Sequence, residues 1–475
     1  MRFIHETSRR SFLRKAGVLS AGAGLAPWAA RASEPVDCAG PKPPPKAIDF
    51  TPDTKRSIVE RPNAFSLTAS QKASLVKAYT KLRDLTTKSP NDPRGWLQQG
   101  NKHCWQCGGG SDGKMGEEIH GSWLFFPWHR GFLYFHERIL GNLADDNDLR
   151  LPYWDWDNSS HRSVPPPYLD STSSLYDPIR SAKAGDDLPI TNVPGKSRDI
   201  VGPDVIKNCL DSPDFATFGG DAKNGGNVEF GPHGGVHLWS GDITYPYLGP
   251  NPPGTGAIDM GVLDTAAQDP VFFAHHGNID RLWAVWNHSD PAKHTNPSDK
   301  AWKDHAFYFW DENSKWIKIT PGQVLDYENN LRYKYPLRPE KPRLWTNILT
   351  LKPAAGNAIK LPGPVVERSA AAAHETVLRV NGFTAPAGSQ PGMFSVVDIQ
   401  TGEELGSVFY VAHNSKDTHA HGSANLTFDI SNKVSALAKS TNGIKLGMVQ
   451  LGRSPAAVKP AATPLSFKSV SVLDR

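Results

Sequence analysis

Hydrophobic and polar positions change rhythm along the chain. From Ser66, apolar residues recur at three- and four-residue steps (Leu67, Leu75, Val76, Tyr79, Leu82, Leu85), which predicts an amphipathic helix capped by Ser66 or Thr68. Residues 120–138 depart from that pattern: they are densely aromatic, yet contain His120, His129 and His136. Aromatic rings favour burial, and a buried imidazole needs a partner, either a hydrogen-bonding neighbour in a packed core or a metal ion. Residues 158–228 are rich in Pro, Gly, Asp and Ser and read as long connecting loops. Pro232 and Pro270 then open two more helical patterns, each bearing histidines. Beyond about Asn347 the period falls to two. Val377–Val380, Phe394–Val397, Val408–Val411, Leu426–Ile430, Leu446–Leu451 and Phe467–Val472 alternate between turn residues, which predicts a small β-sandwich. The fold class is therefore a mainly α, loop-rich domain followed by an all-β one.

Composition narrows the possibilities. The chain has 475 residues, enough for two or three domains, and its 52 basic and 48 acidic residues leave a net charge of +4. That balance argues against a nucleic-acid or membrane-surface partner. No apolar run is long enough to span a membrane. Residues 33–62 are Pro-rich and read as an extended arm. At the start, Ser8-Arg9-Arg10-Ser11-Phe12-Leu13-Arg14-Lys15 resembles the bacterial twin-arginine export motif, and Ala30-Arg31-Ala32 reads as a cleavage site. Residues 1–32 are thus expected to be a signal peptide, and the mature protein to be periplasmic or secreted. Four cysteines, Cys38, Cys104, Cys107 and Cys209, allow a disulfide in such a compartment, but sequence alone leaves the pairing open. Cys104-Trp105-Gln106-Cys107 has no second Cys pair to complete a structural zinc site.

The histidines of the first domain fall into two sets: His103, His120 and His129, then His233, His237 and the His275/His276 pair. His233 and His237, four apart, share one helical face. Three imidazoles per ion and no thiolate suit copper or zinc, and the duplication predicts a binuclear centre with four helices converging on it. His136 lies seven residues past His129, about 10 Å along a helix at ~1.5 Å per residue, too far to reach the same ion. It is expected to be structural. His161, His288, His294, His305, His419 and His421 lack a motif context and read as loop or surface residues.

With these motifs in view, the chain resembles the type-3 copper family of tyrosinases and catechol oxidases (polyphenol oxidases), especially its plant-type branch. The resemblance rests on His103-Cys104-x-x-Cys107, His120-x-Ser-Trp-Leu-Phe-Phe-Pro-Trp-His129-Arg130 and Pro152-Tyr-Trp-Asp-Trp156. It rests also on Pro232-His-Gly-x-Val-His237-x-Trp239 and Asp269-Pro-x-Phe-Phe-x-His-His276-x-Asn278-x-Asp280-Arg-Leu-Trp283. Tyr333-x-Tyr335 resembles the family's marker for the end of the catalytic domain, and Asp311-Glu312-Asn313 its acidic turn. The resemblance implies two copper ions, copper A on His103, His120 and His129, and copper B on His233, His237 and His276. It implies a thioether between Cys107 and His120, and a disulfide between Cys38 and Cys104. Glu229 is implied to hold a water that accepts a phenol's proton. Asn278 and Asp280, beyond His276, are candidates for supporting contacts. The expected division is residues 33–346 catalytic, 347–370 linker and 371–475 sandwich.

The implied activity uses O2 to hydroxylate monophenols and to oxidise o-diphenols to o-quinones. Phenolic small molecules and O2 are the only partners it requires. A catechol oxidase without monophenolase activity, an o-aminophenol oxidase, a haemocyanin-like O2 carrier and a zinc hydrolase are the alternatives. Two cues about monophenols conflict: Gly234 stands where many strong tyrosinases carry Asn, whereas Leu263 stands where plant-type enzymes often carry a bulky Phe over copper A. Finally, the sandwich resembles the lid of latent polyphenol oxidases, which implies that Met393 or Phe394 plugs the pocket and that cutting within 347–370 raises activity.

Overall fold

The computed structural model describes residues 46–475 except 107–116, 181–185, 189, 194–195, 242–258, 338–344, 355–356, 369–373, 390, 412–421, 441 and 451–461. The first amphipathic run forms the helix Ala69–Lys88, with Leu75, Ala78, Tyr79 and Leu82 buried. Thr68 and Gln71 cap it reciprocally, side chain to backbone in both directions, so the first turn's amide groups are satisfied. It packs on Phe125–Ala144, a helix buried almost all round. A helix apolar on every side belongs at the centre of a domain. Trp96–Gln106, Gly234–Gly241 and Val271–Ser289 complete the four histidine-bearing or histidine-facing helices around one continuous aromatic core.

Buried charge locks this core. Asp280 accepts from Arg130 Nε at 2.6 Å, Arg61 Nη1 at 3.1 Å, and the hydroxyls of Tyr333 and Tyr335 at 2.6 and 2.7 Å. Arg61 also reaches Glu137 at 3.1 Å and lies 3.7 Å over the Tyr333 ring. Burial alone would raise the Asp280 pKa; the two guanidinium groups and the phenol hydrogen bonds outweigh it and hold the carboxylate below its usual range. The arm residues Val59–Glu60 pair in parallel with Tyr333–Lys334, so the arm and the Tyr-x-Tyr motif arrive at Asp280 together.

The C-terminal region is a sandwich of two four-stranded antiparallel sheets. One runs in the order Glu404–Tyr410, Gly392–Asp398, Leu446–Gln450, Thr463–Pro464; the other runs Ser423–Asp429, Thr376–Thr384, Ser469–Asp474, Asn347–Leu351. Two expectations need correction. The described part of the supposed linker 347–370 belongs to the sandwich. Asn347–Leu351 is an edge strand on Ser469–Asp474, Ile359 bridges Ile444, and Gly363–Arg368 is a helix with Val365 buried. The loop region 158–228 also contains a hairpin, Ile190–Val193 with Lys196–Asp199, and the Pro-started helix Pro203–Leu210. Among the described residues no helix is long and apolar enough to cross a membrane.

Candidate metal centre

His103 projects from Trp96–Gln106, His129 from Phe125–Ala144, and His120 from the turn between them. His233 ends a wide π-type turn, Glu229–His233, broken by Gly231 (φ −103°, ψ −113°) and Pro232; His237 lies one helical turn on, and His275 and His276 lie on Val271–Ser289. The seven rings are buried in two clusters, His103/His120/His129 and His233/His237/His275/His276, within which one nitrogen of each ring lies within 4.8 Å of one nitrogen of every other.

Hydrogen bonds determine where each proton sits. Nδ1 of His103, His129, His237 and His233 contacts the carbonyl of Leu263, Phe125, Met260 and Glu229 at 2.9, 2.8, 2.8 and 3.2 Å. A carbonyl only accepts, so each Nδ1 carries the hydrogen and each Nε2 a lone pair. His103 Nε2 and His129 Nε2, both bearing lone pairs, then face each other at 3.3 Å; in the other cluster His276 Nε2 lies 3.3 Å from the His237 Nε2 lone pair. Two lone pairs at that distance repel unless a cation lies between them. Tetrahedral ligands at about 2.0–2.1 Å from an ion are themselves about 3.3 Å apart, so the donor set fits a bound metal. Burial first, then repulsion between neighbouring rings, keeps His103, His129, His233 and His276 well below the usual imidazole range and His237 at about 3. Neutral imidazole is the ligating form.

The second cluster has one ring too many. The Trp156 indole N–H donates to His275 Nδ1 at 3.0 Å. Indole cannot accept, so the neutral His275 ring must carry its proton on Nε2, and neither nitrogen offers a lone pair to an ion. His276 points its Nε2 at His237 instead. Sequence reading quoted Trp156 as part of a motif but gave it no role. It also missed Glu118, whose Oε1 accepts from the backbone N–H of His120 at 2.7 Å and contacts His120 Nδ1 at 3.0 Å. A carboxylate behind a ligating histidine fixes the tautomer and raises ring basicity. Its position two residues before His120 was the available signal.

A cavity of about 180 Å³ opens onto both clusters, walled by His120, His233, Glu229, Phe230 and Leu263. Glu229 Oε1 accepts the Gly121 N–H at 2.7 Å, which fixes the carboxylate at the wall. The far side is closed by Phe409, Tyr410 and Val411 of the sandwich. Gly234 makes that approach possible: a Cβ there would lie 2.9 Å from Phe409 Cβ. Met393 and Phe394, the expected plug, are elsewhere. Met393 pairs across from Phe409 and joins the aromatic core, and Phe394 packs inside the sandwich.

Other expected residues do not reach the cavity. The Asn278 amide is engaged at both ends, donating to Asp157 at 2.8 Å and accepting from Arg281 at 2.7 Å. Asp280 serves the ionic hub. His136 stacks on Phe273 at 3.7 Å, with Nε2 at 3.2 Å from the Tyr79 hydroxyl and Nδ1 at 3.0 Å from Gln99, a structural histidine. His161, His288, His294 and His305 lie outside both clusters; His419 and His421 are outside the described residues. Cys104 is disulfide-bonded and Cys209 is a buried free thiol. Cys38 and Cys107 lie outside the described residues, and with them the expected Cys38–Cys104 bond and Cys107–His120 thioether.

Comparison with known proteins agrees with this geometry. The common central domain of tyrosinase matches residues 88–203 and 192–289, and the polyphenol oxidase middle domain matches residues 296–348. A chloroplastic polyphenol oxidase of Malus domestica is 34% identical over 325 residues, 63% of this chain and 52% of that protein. The chain thus spans about half the length of the curated relatives it matches. The crystal structure of Grenache (Vitis vinifera) polyphenol oxidase is 32% identical, with 65% of this chain and 93% of that one aligned at a TM-score of 0.56. A latent aurone synthase (polyphenol oxidase) structure shares the fold over 94% of both chains at 23% identity and a TM-score of 0.66. These relatives also overturn the expected localisation. The Malus domestica protein and other matched plant polyphenol oxidases are chloroplastic by name, which contradicts the expected twin-arginine export to a periplasm or the exterior. A bacterial origin has no support, and residues 1–32 lie outside the described part.

Proposed function

Because the chain belongs to the tyrosinase and polyphenol oxidase family, we propose that it is a binuclear copper oxidase that converts o-diphenols, and monophenols by prior ortho-hydroxylation, to o-quinones with O2. The observation that carries this reading is the pair of buried imidazole clusters whose Nε2 lone pairs converge beneath one carboxylate-bearing cavity. His103, His120 and His129 would hold one copper, and His233, His237 and His276 the other. Copper, unlike zinc, supplies the redox change that O2 reduction demands. Two o-diphenols give two o-quinones and two waters per O2; a monophenol with one O2 gives one o-quinone and one water.

The chain's own residues supply the rest. Phe230, Leu263 and Phe409 make an apolar wall for a phenol ring. Glu229, fixed by the Gly121 amide, takes the phenol's proton, directly or through a water. The buried core around the clusters excludes bulk water. Phe409–Val411 act as the lid, so opening the sandwich exposes the cavity. The Cys107–His120 thioether belongs to the same reading and would leave the joined peptides two hydrogens lighter in mass spectrometry.

The test is copper content with oxygen-electrode traces on catechol, DOPA, tyrosine and o-aminophenol. Two coppers per chain and O2 uptake with catechol are expected. A fully loaded protein inert towards catechol overturns the oxidase; turnover of DOPA but not tyrosine reduces it to a catechol oxidase.

A further inference from the structure

Both histidine clusters share a support that belongs to neither. Residues 259–263 fold back on themselves: the Val262 N–H and the Thr265 hydroxyl donate to the Asp259 carbonyl at 3.2 and 3.1 Å. Within this turn the Met260 carbonyl accepts from His237 Nδ1, and the Leu263 carbonyl from His103 Nδ1. One short turn therefore orients one imidazole of each cluster.

The turn is fastened by a side chain. The carboxyl of Asp259 lies against that of Asp177 in the interior, and each residue is only 5% exposed. Asp177 Oδ1 accepts the Ile179 N–H at 3.1 Å, while Asp177 Oδ2 and Asp259 Oδ1 face no protein donor. Two buried carboxylates in contact repel each other unless one is protonated and donates. Arg180 and Arg83 favour the ionised carboxyls, but burial and the neighbouring carboxylates outweigh them. Arg180 is committed to Asp269, at 2.6 Å through Nε, and to the Tyr168 carbonyl at 2.8 Å. Asp269 also receives the Val271 N–H at 2.9 Å, at the start of the helix bearing His276. Arg83 donates to the Ser174 and Tyr176 carbonyls at 2.9 and 3.2 Å. The phenols of Tyr79 and Tyr168 are kept neutral by burial. Burial and the neighbouring carboxylates push Asp177 up to about 6 and Asp259 well above the usual carboxylate range.

We propose that Asp177 and Asp259 share one proton and act as a positioning pair. In this state they fasten the 259–263 turn, and through its two carbonyls the orientation of His103 and His237, so that ionising the pair loosens metal retention at both clusters. The proposal rests on the copper reading above only for the identity of the ion. Because the folded chain binds this proton more tightly than the unfolded chain, whose carboxyls titrate near ~4, the stabilisation is complete below that pH and is lost as pH rises through about 6 and beyond.

Asp259→Asn supplies a donor that does not titrate, whereas Asp177→Ala removes the partner. Two readouts are compared with wild type from pH 5 to 9: copper release to a chelator, and the unfolding temperature of the metal-free chain. Asp177→Ala is expected to release copper about 10–100-fold faster at every pH, the usual effect of losing an outer-shell partner. Wild type is expected to release copper faster as pH rises while Asp259→Asn stays flat, and the unfolding temperature of Asp259→Asn minus wild type should grow with pH. Parallel profiles for Asp259→Asn and wild type overturn the shared proton. A flattened unfolding profile with unchanged copper release overturns the positioning role. If no copper loads, the function proposed above fails, and the unfolding profile of the metal-free chain still decides whether the pair shares a proton.

Discussion

The two histidine clusters are built differently. The first has three rings, one of them, His120, on a turn and backed by the Glu118 carboxylate. The second has four rings on a π-type turn and two helices, one more than an ion needs. In the first, sequence spacing names every candidate. In the second, spacing leaves two adjacent histidines, and Trp156 from a distant motif removes one by occupying its Nδ1. What sets His275 apart from a ligand is the indole donor that occupies its Nδ1, a property no spacing contains. His136 provides a reference: a buried histidine with both nitrogens satisfied by Gln99 and Tyr79 has no use for a metal.

The largest effect should come from treating the adjacent pair unequally. His276→Ala is expected to halve copper content from two to one and abolish O2 uptake, while His275→Ala keeps both coppers. Equal copper loss from the two variants would break the distinction. Next is acid stability at His136, whose pKa burial lowers to about 3. The unfolded ring titrates near ~6.5, so stability is present above that pH and is lost as pH falls towards 3, by an amount on the order of 5 kcal/mol. His136→Gln should flatten acid unfolding over that window; an unchanged acid slope would count against a neutral His136. Glu118→Gln should weaken copper at the first cluster by about 10–100-fold and leave the second untouched, as read by stepwise chelation. A symmetric loss would show that the carboxylate does not belong to one cluster alone. The smallest effect is expected for Trp156→Phe: about 1 kcal/mol of stability for a lost hydrogen bond, with copper content unchanged. A gain or exchange of ligand at His275, visible in the copper spectrum, would sharpen the role of the indole further.

Legibility in the sequence followed the range of the forces involved. The Ala69–Lys88 helix and its Thr68 cap are local, and periodicity found them. So are the sandwich strands with one buried face. The edge strand Asn347–Leu351 was missed because four of its five residues are exposed, including Ile348 and Leu349, so no alternation marks it. Phe409 at the cavity, Trp156 behind His275 and Glu118 behind His120 are tertiary choices. Gly234 was read as a clue to substrate, yet structurally it is the clearance that lets the Phe409 strand descend. The N-terminal basic motif misled for the opposite reason: a few charged residues in a short segment constrain little.

The Asp280 hub has a consequence for how this chain can be divided. Arg61 and Tyr335 stand 274 positions apart, yet both contact one buried carboxylate. A fragment that stops short of either end strands that charge inside the core, which is far costlier than losing a surface contact. The smallest excisable unit of the helical half is therefore fixed electrostatically, at residues 61 to 335, whatever is done with the sandwich beyond it.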